Sequence, residues 1–149
     1  MSAINATTVI ADLLAAGHAV RFRAEGDSMW PLIHSGDFLL VEPVNVRDLV
    51  RGDVVLALQD RGLTAHRVVH IARDAKNVMQ ITTRGDNAPK SDDSFEETRV
   101  LGLVRHAERD ARQYSINRYG SIFSLTITRL WVRTAARFDR LFSFSWERV

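Results

Sequence analysis

The sequence predicts a mainly β protein: an antiparallel, partly closed β-fold with a short N-terminal helix and a C-terminal basic amphipathic helix. Three observations lead there. Six short segments rich in Val and Leu are separated by turn signals containing Gly, Pro, Asn or Asp, a spacing that favours antiparallel strands over alternating βαβ units. Helical periodicity is confined to the two ends of the chain. No internal repeat or low-complexity run interrupts this order.

The elements follow in sequence. Residues 4–16 (INATTVIADLLAA) read as a helix that Gly17 closes. Residues 19–25 (AVRFRAE) alternate apolar and polar side chains, as a half-buried strand does. The segment 26–37 (GDSMWPLIHSGD) is a loop. Residues 38–44 (FLLVEPV) form a strand that Pro43 ends or places at an edge. A turn over Asn45–Gly52 leads to the strand at 53–59 (DVVLALQ), and Arg61-Gly62 reads as a hairpin turn into 63–72 (LTAHRVVHIA). Strand 78–84 (VMQITTR), a loop over 85–98 and a last strand at 99–107 complete the set.

The tail differs. Phe123, Ile127, Trp131, Ala135, Phe138 and Phe142 recur at steps of three and four, and Arg129, Arg133, Arg137 and Arg140 do likewise on the opposite side of a helix turning about 100° per residue. Residues 1–104 hold 11 basic and 14 acidic residues, whereas 105–149 hold 9 and 4. The expected division is therefore an N-terminal helix (1–19), a β domain (20–108) and a basic helical extension (109–149). The tail has two readings: its apolar stripe docks on the β domain, or it contacts an anionic membrane peripherally through Arg129, Arg133, Arg137 and Arg140. The docked reading is the commoner fate of such helices.

Composition narrows the chemistry. With 149 residues, 46% apolar and 26% charged, the chain suits one globular domain plus an appendage. It has no Cys, which excludes disulfide scaffolds, cysteine nucleophiles and thiolate metal sites, and fits a reducing compartment. No stretch approaches the roughly 18 apolar residues of a membrane span. The N-terminus lacks a positive charge ahead of its apolar stretch and carries Asp12 within it, unlike a secretory signal. The expected location is cytoplasmic, with the inner membrane surface as the place of any peripheral contact. The residues preceding the first strand are too few for a helix-turn-helix, and no nucleic-acid partner is expected.

Four segments carry candidate chemistry. Ser28 stands in Gly26-Asp27-Ser28-Met29-Trp30-Pro31, a loop that can hold a hydroxyl exposed on a fixed backbone, with the Ser28 backbone N–H facing an oxyanion. A loop serine alone is more often an ordinary turn residue. His66, in Ala65-His66-Arg67-Val68, lies in an apolar strand, where an imidazole is either a satisfied core group or a base; serine needs such a base within hydrogen-bond reach. His70, four residues on, would share a face with His66, but no third metal ligand is evident and no metal is expected. Gly85-Asp86-Asn87, followed by Asp92 and Asp93, offers an acid to orient the imidazole, or merely a solvated turn. Finally, Gly36-Asp37 and Gly52-Asp53 each precede a strand; Gly suits the turn and Asp bonds the local backbone.

Taken in order, Ser28-Met29-Trp30-Pro31, the two Gly-Asp turns, His66-Arg67-Val68 and Gly85-Asp86-Asn87 with Asp92 resemble the superfamily of signal-peptidase-like and LexA-like serine peptidases over about residues 20–104. The His in place of a Lys base resembles the branch of the endoplasmic-reticulum and archaeal signal peptidases, here without a membrane anchor. The chain's two lysines, Lys76 and Lys90, lie outside apolar strands and are poor candidates for a buried base. The resemblance implies Ser28 as nucleophile, His66 as general base and Asp92 as its orienting acid, with Asp93 competing for that role. Asp86 would buttress the site and Arg67 would hold the acidic loop by an ion pair. Some bacterial relatives carry a second oxyanion hydroxyl where this chain has Gly26. Trp30 either lines the substrate groove or packs, and packing is favoured. The implied function is a serine endopeptidase that cleaves a leader or precursor peptide without a cofactor. The alternative is an inactive peptide-binding module of the same fold, using an edge strand.

Overall fold

The computed structural model describes residues 6–60 and 62–116. Within them, α1 spans Ala6–Ala15, followed by β1 (Val20–Arg23), β2 (Phe38–Glu42), β3 (Val54–Gln59), β4 (Gly62–Arg73), β5 (Met79–Arg84), β6 (Phe95–Glu96), β7 (Val100–Arg109) and β8 (Arg112–Ser115). The predicted tail helix, with Arg129, Arg133, Arg137 and Arg140, lies outside the described residues. All pairings are antiparallel, in the order β1-β2-β7-β3-β4-β5-β6, and β8 pairs with β7. The architecture is a mainly antiparallel β half-barrel with one short N-terminal helix. No helix among the described residues is long and apolar enough to cross a membrane.

The expected strands form close to their predicted limits, with two differences. The loop over 85–98 contains the two-residue strand β6 and leads into a single 3-10 turn at Glu97–Arg99. In addition, β7 runs through Arg109, and a turn over Asp110 and Ala111 returns β8 along it, so residues 109–115 belong to the sheet and not to a helical extension. Asp110 and Ala111 both adopt positive φ (50° and 60°), the geometry of a tight two-residue hairpin, which an Asp-Ala pair does not advertise.

Burial explains why the strands lie where they do. The apolar run of β3 is buried on both sides: Val54 and Leu56 enter one core, and Val55 and Ala57 enter a second. A strand covered on both faces loses alternation and reads as continuous apolar residues. The first core gathers Leu14 of α1 with Val20, Leu39, Val41, Val104 and Ala107; the second joins Val68, Met79, Ile81, Phe95 and Leu103. Helix α1 is thus part of the domain's core. It ends at Gly17 (φ 88°), where the Gly17 and His18 amides donate to Leu14 O and Leu13 O.

The two Gly-Asp turns are copies of one device. Asp37 Oδ2 accepts from the His34 amide (2.8 Å), and Asp53 Oδ2 accepts from the Val50 amide (3.0 Å). Gly36 and Gly52 supply the positive φ, 97° and 100°. Asp37 also receives two bonds from the Arg109 guanidinium (2.8 and 2.7 Å) and lies 2.7 Å from the Tyr114 hydroxyl. Tyr114 and Arg109 also approach Leu32 O, so this cluster ties the end of the loop 26–37 to the β7–β8 hairpin. Burial alone would raise the Asp37 carboxyl. The bonds from Arg109, the His34 amide and Tyr114 outweigh it and hold the group well below the usual carboxylate range. Burial, then the bond to Asp37, pushes the Tyr114 hydroxyl up to about 12.

Candidate active site

Ser28 lies on the exposed loop between β1 and β2. The loop is pinned by its neighbours: Met29 and Ile33 are buried in the first core, 4% and 3% exposed. Because Met29 takes the inward place, Trp30 turns outward and is 45% exposed, contrary to the expectation that it packs.

His66 projects from the middle of β4 toward this loop. Its Nε2 is 3.0 Å from Ser28 Oγ, and its Nδ1 is 2.7 Å from Asp92 Oδ2. An ionised Asp92 can only accept, so Nδ1 carries the ring proton and Nε2 is left to accept from the Ser28 hydroxyl. The His66 and Asp92 side chains are 12% and 22% exposed. Three segments far apart in sequence therefore meet in one hydrogen-bonded row.

Asp92, and not Asp93, meets the imidazole. The Asp92 amide donates to Thr83 O (2.8 Å), and the Thr83 hydroxyl donates to Asp92 Oδ2 (2.6 Å), which turns this carboxylate inward; Asp93 is solvent-exposed. Thr83 is fully buried and receives a bond from Gln59 Nε2 (3.2 Å). Sequence reading passes over both residues. The one signal is that Met79, Ile81 and Thr83 face inward along β5, so a polar residue occupies the third position of an apolar face.

Successive strand residues point to opposite faces, so Arg67 leaves β4 on the side away from His66. There it forms a buried bidentate pair with Asp86, Nε to Oδ1 at 2.8 Å and Nη2 to Oδ2 at 2.6 Å, and donates through Nη1 to Gly52 O. The pair holds the 85–87 turn from behind the row. On the front side, the Asn87 amide donates to Ser28 O (2.8 Å) and its side chain to Asp27 O (3.2 Å). Asp86 and Arg67 thus contact the loop and not the imidazole.

His70 does not share the face of His66. The β4–β5 register runs Val68↔Thr83 and then His70↔Thr82, so a bulge at Val69 consumes one residue and inverts the alternation. Lys76 and Lys90 are both exposed and lie outside the strands. A cleft of about 880 Å³ opens beside His66 and Asp92, bordered by Gln59, Thr64, Phe95 and Glu96.

The family model described as Peptidase S24-like matches residues 2–104, more than half of the chain. The match begins before α1, ahead of the start near residue 20 expected from the motifs, and it contains Ser28, His66, Arg67, Asp86 and Asp92. No curated protein matches the sequence. With its half-barrel fold and this match, the chain belongs to the Peptidase S24-like family.

Proposed function

We propose that the protein is a serine endopeptidase that cleaves a leader or precursor peptide. The observation that carries this reading is the unbroken row from Ser28 Oγ through His66 to Asp92, with spacings of 3.0 and 2.7 Å. Ser28 attacks the scissile carbonyl while His66 Nε2 takes its proton. The imidazolium, held by ionised Asp92, then returns the proton to the leaving amine, and water hydrolyses the acyl-enzyme by the same base. The Ser28 amide donates to no protein group among the described residues and serves as an oxyanion donor. The imidazole base aligns the protein with the branch typified by the endoplasmic-reticulum and archaeal signal peptidases.

The test is active-site labelling with a fluorophosphonate, followed by precursor hydrolysis. Wild-type protein should label once per chain at Ser28, and Ser28→Ala should not label. Undiminished hydrolysis by both Ser28→Ala and His66→Ala would remove the proposal.

A further inference from the structure

We infer that Thr83, with Gln59 behind it, is a positioning residue that sets the tautomer of His66 through Asp92. The inference rests on the Ser28–His66–Asp92 reading and deepens it. Four hydrogen bonds form one chain: Gln59 Nε2 to Thr83 Oγ1, Thr83 Oγ1 to Asp92 Oδ2, Asp92 Oδ2 with His66 Nδ1, and His66 Nε2 with Ser28 Oγ.

The direction of the chain follows from donor counting. A threonine hydroxyl has one proton. The Gln59 amide donates to Thr83 Oγ1, so the Thr83 proton is left for Asp92. Asp92 Oδ2 then accepts from both Thr83 and His66, which fixes the carboxylate's rotation. The main chain reinforces it, because the Asp92 amide donates back to Thr83 O. Thr83 is fully buried in a strand, so it places Asp92, otherwise carried on a loop, with the precision of the sheet. With Asp92 so held, the Nδ1–H form of His66 is the one that satisfies both ring nitrogens. Without Thr83, the carboxylate turns toward solvent on its exposed side and the ring samples both tautomers.

The experiment joins nitrogen-15 NMR of the His66 ring in the full chain with the rate of fluorophosphonate labelling at Ser28. Wild-type protein should show a single Nδ1–H tautomer. Thr83→Val, nearly equal in shape, should show a mixture and label about 10- to 100-fold more slowly, the effect of losing one hydrogen bond to a charged group. Thr83→Ser keeps the hydroxyl and should restore both readouts. Gln59→Met should shift the tautomer in the same direction by less, and it carries the test if Thr83→Val does not fold. A single Nδ1–H tautomer with an unchanged rate in the folded Thr83→Val variant overturns the inference, as does an unshifted tautomer in Gln59→Met if Thr83→Val fails to fold. A tautomer shift in Thr83→Val alongside undiminished precursor hydrolysis by Ser28→Ala upholds the positioning role and instead defeats the peptidase reading.

Discussion

Gly85 approaches Ser28 so closely that a Cβ at residue 85 would stand 2.5 Å from the Ser28 carbonyl oxygen and 3.2 Å from His66 Nε2. The obstructing carbonyl is backbone and cannot rotate away. Gly85→Ala must push apart the Ser28 loop and the 85–87 turn, lengthening the Ser28–His66 bond. A misplacement of this kind costs roughly 100-fold in rate. Fluorophosphonate labelling of Ser28 should slow by that order, while circular dichroism should still report a folded β protein.

The buried Arg67–Asp86 pair should behave asymmetrically. Arg67→Met leaves Asp86 charged, buried and without its bidentate partner, at a cost of about 3–5 kcal/mol. Asp86→Leu in the Arg67→Met background removes the stranded charge and should recover much of the loss. Recovery should be incomplete, because Arg67 also donates to Gly52 O. Urea unfolding of the two single variants and the double variant measures the coupling.

Acid and alkali should each destabilise through the Asp37 cluster. The folded-state Asp37 carboxyl ionises below its ordinary value of 3.8. Its contribution is therefore present above that value and lost as pH falls through the lower folded-state value. Tyr114 is raised from 10.0 to about 12, so its contribution is intact below 10 and lost as pH rises through 12. The stability gap between wild type and Asp37→Asn should be wide at neutral pH and narrow on acidification below about 4. Tyr114→Phe should flatten the alkaline limb. Guanidinium unfolding across pH tests both.

Met29 and Trp30 are neighbours with opposite fates. Met29→Ala empties a buried site and should cost about 2–5 kcal/mol. Trp30→Ala removes an exposed ring and should stay within about 0.5 kcal/mol. Thermal unfolding separates the two, and equal losses would contradict the inward and outward assignments.

The chain by itself determined whatever depends on near neighbours. Strands were legible because alternation and apolar runs record burial along one segment. Gly36-Asp37 and Gly52-Asp53 were legible as turns because a positive φ and an Asp bonding an amide three residues back are local events. Ser28, His66 and the Asp92–Asp93 pair were legible as a candidate site through their order and flanking motifs. Tertiary structure decided what depends on register between strands. The Val69 bulge removed His70 from the face of His66, since one extra residue inverts a period of two. The bond from the Asp92 amide to Thr83 O chose Asp92 over Asp93, and Asp37 acquired Arg109 and Tyr114 from a hairpin more than 70 residues away. A hydrogen-bond partner is set by which strands lie side by side, and the periodicity of one segment carries no record of its neighbour.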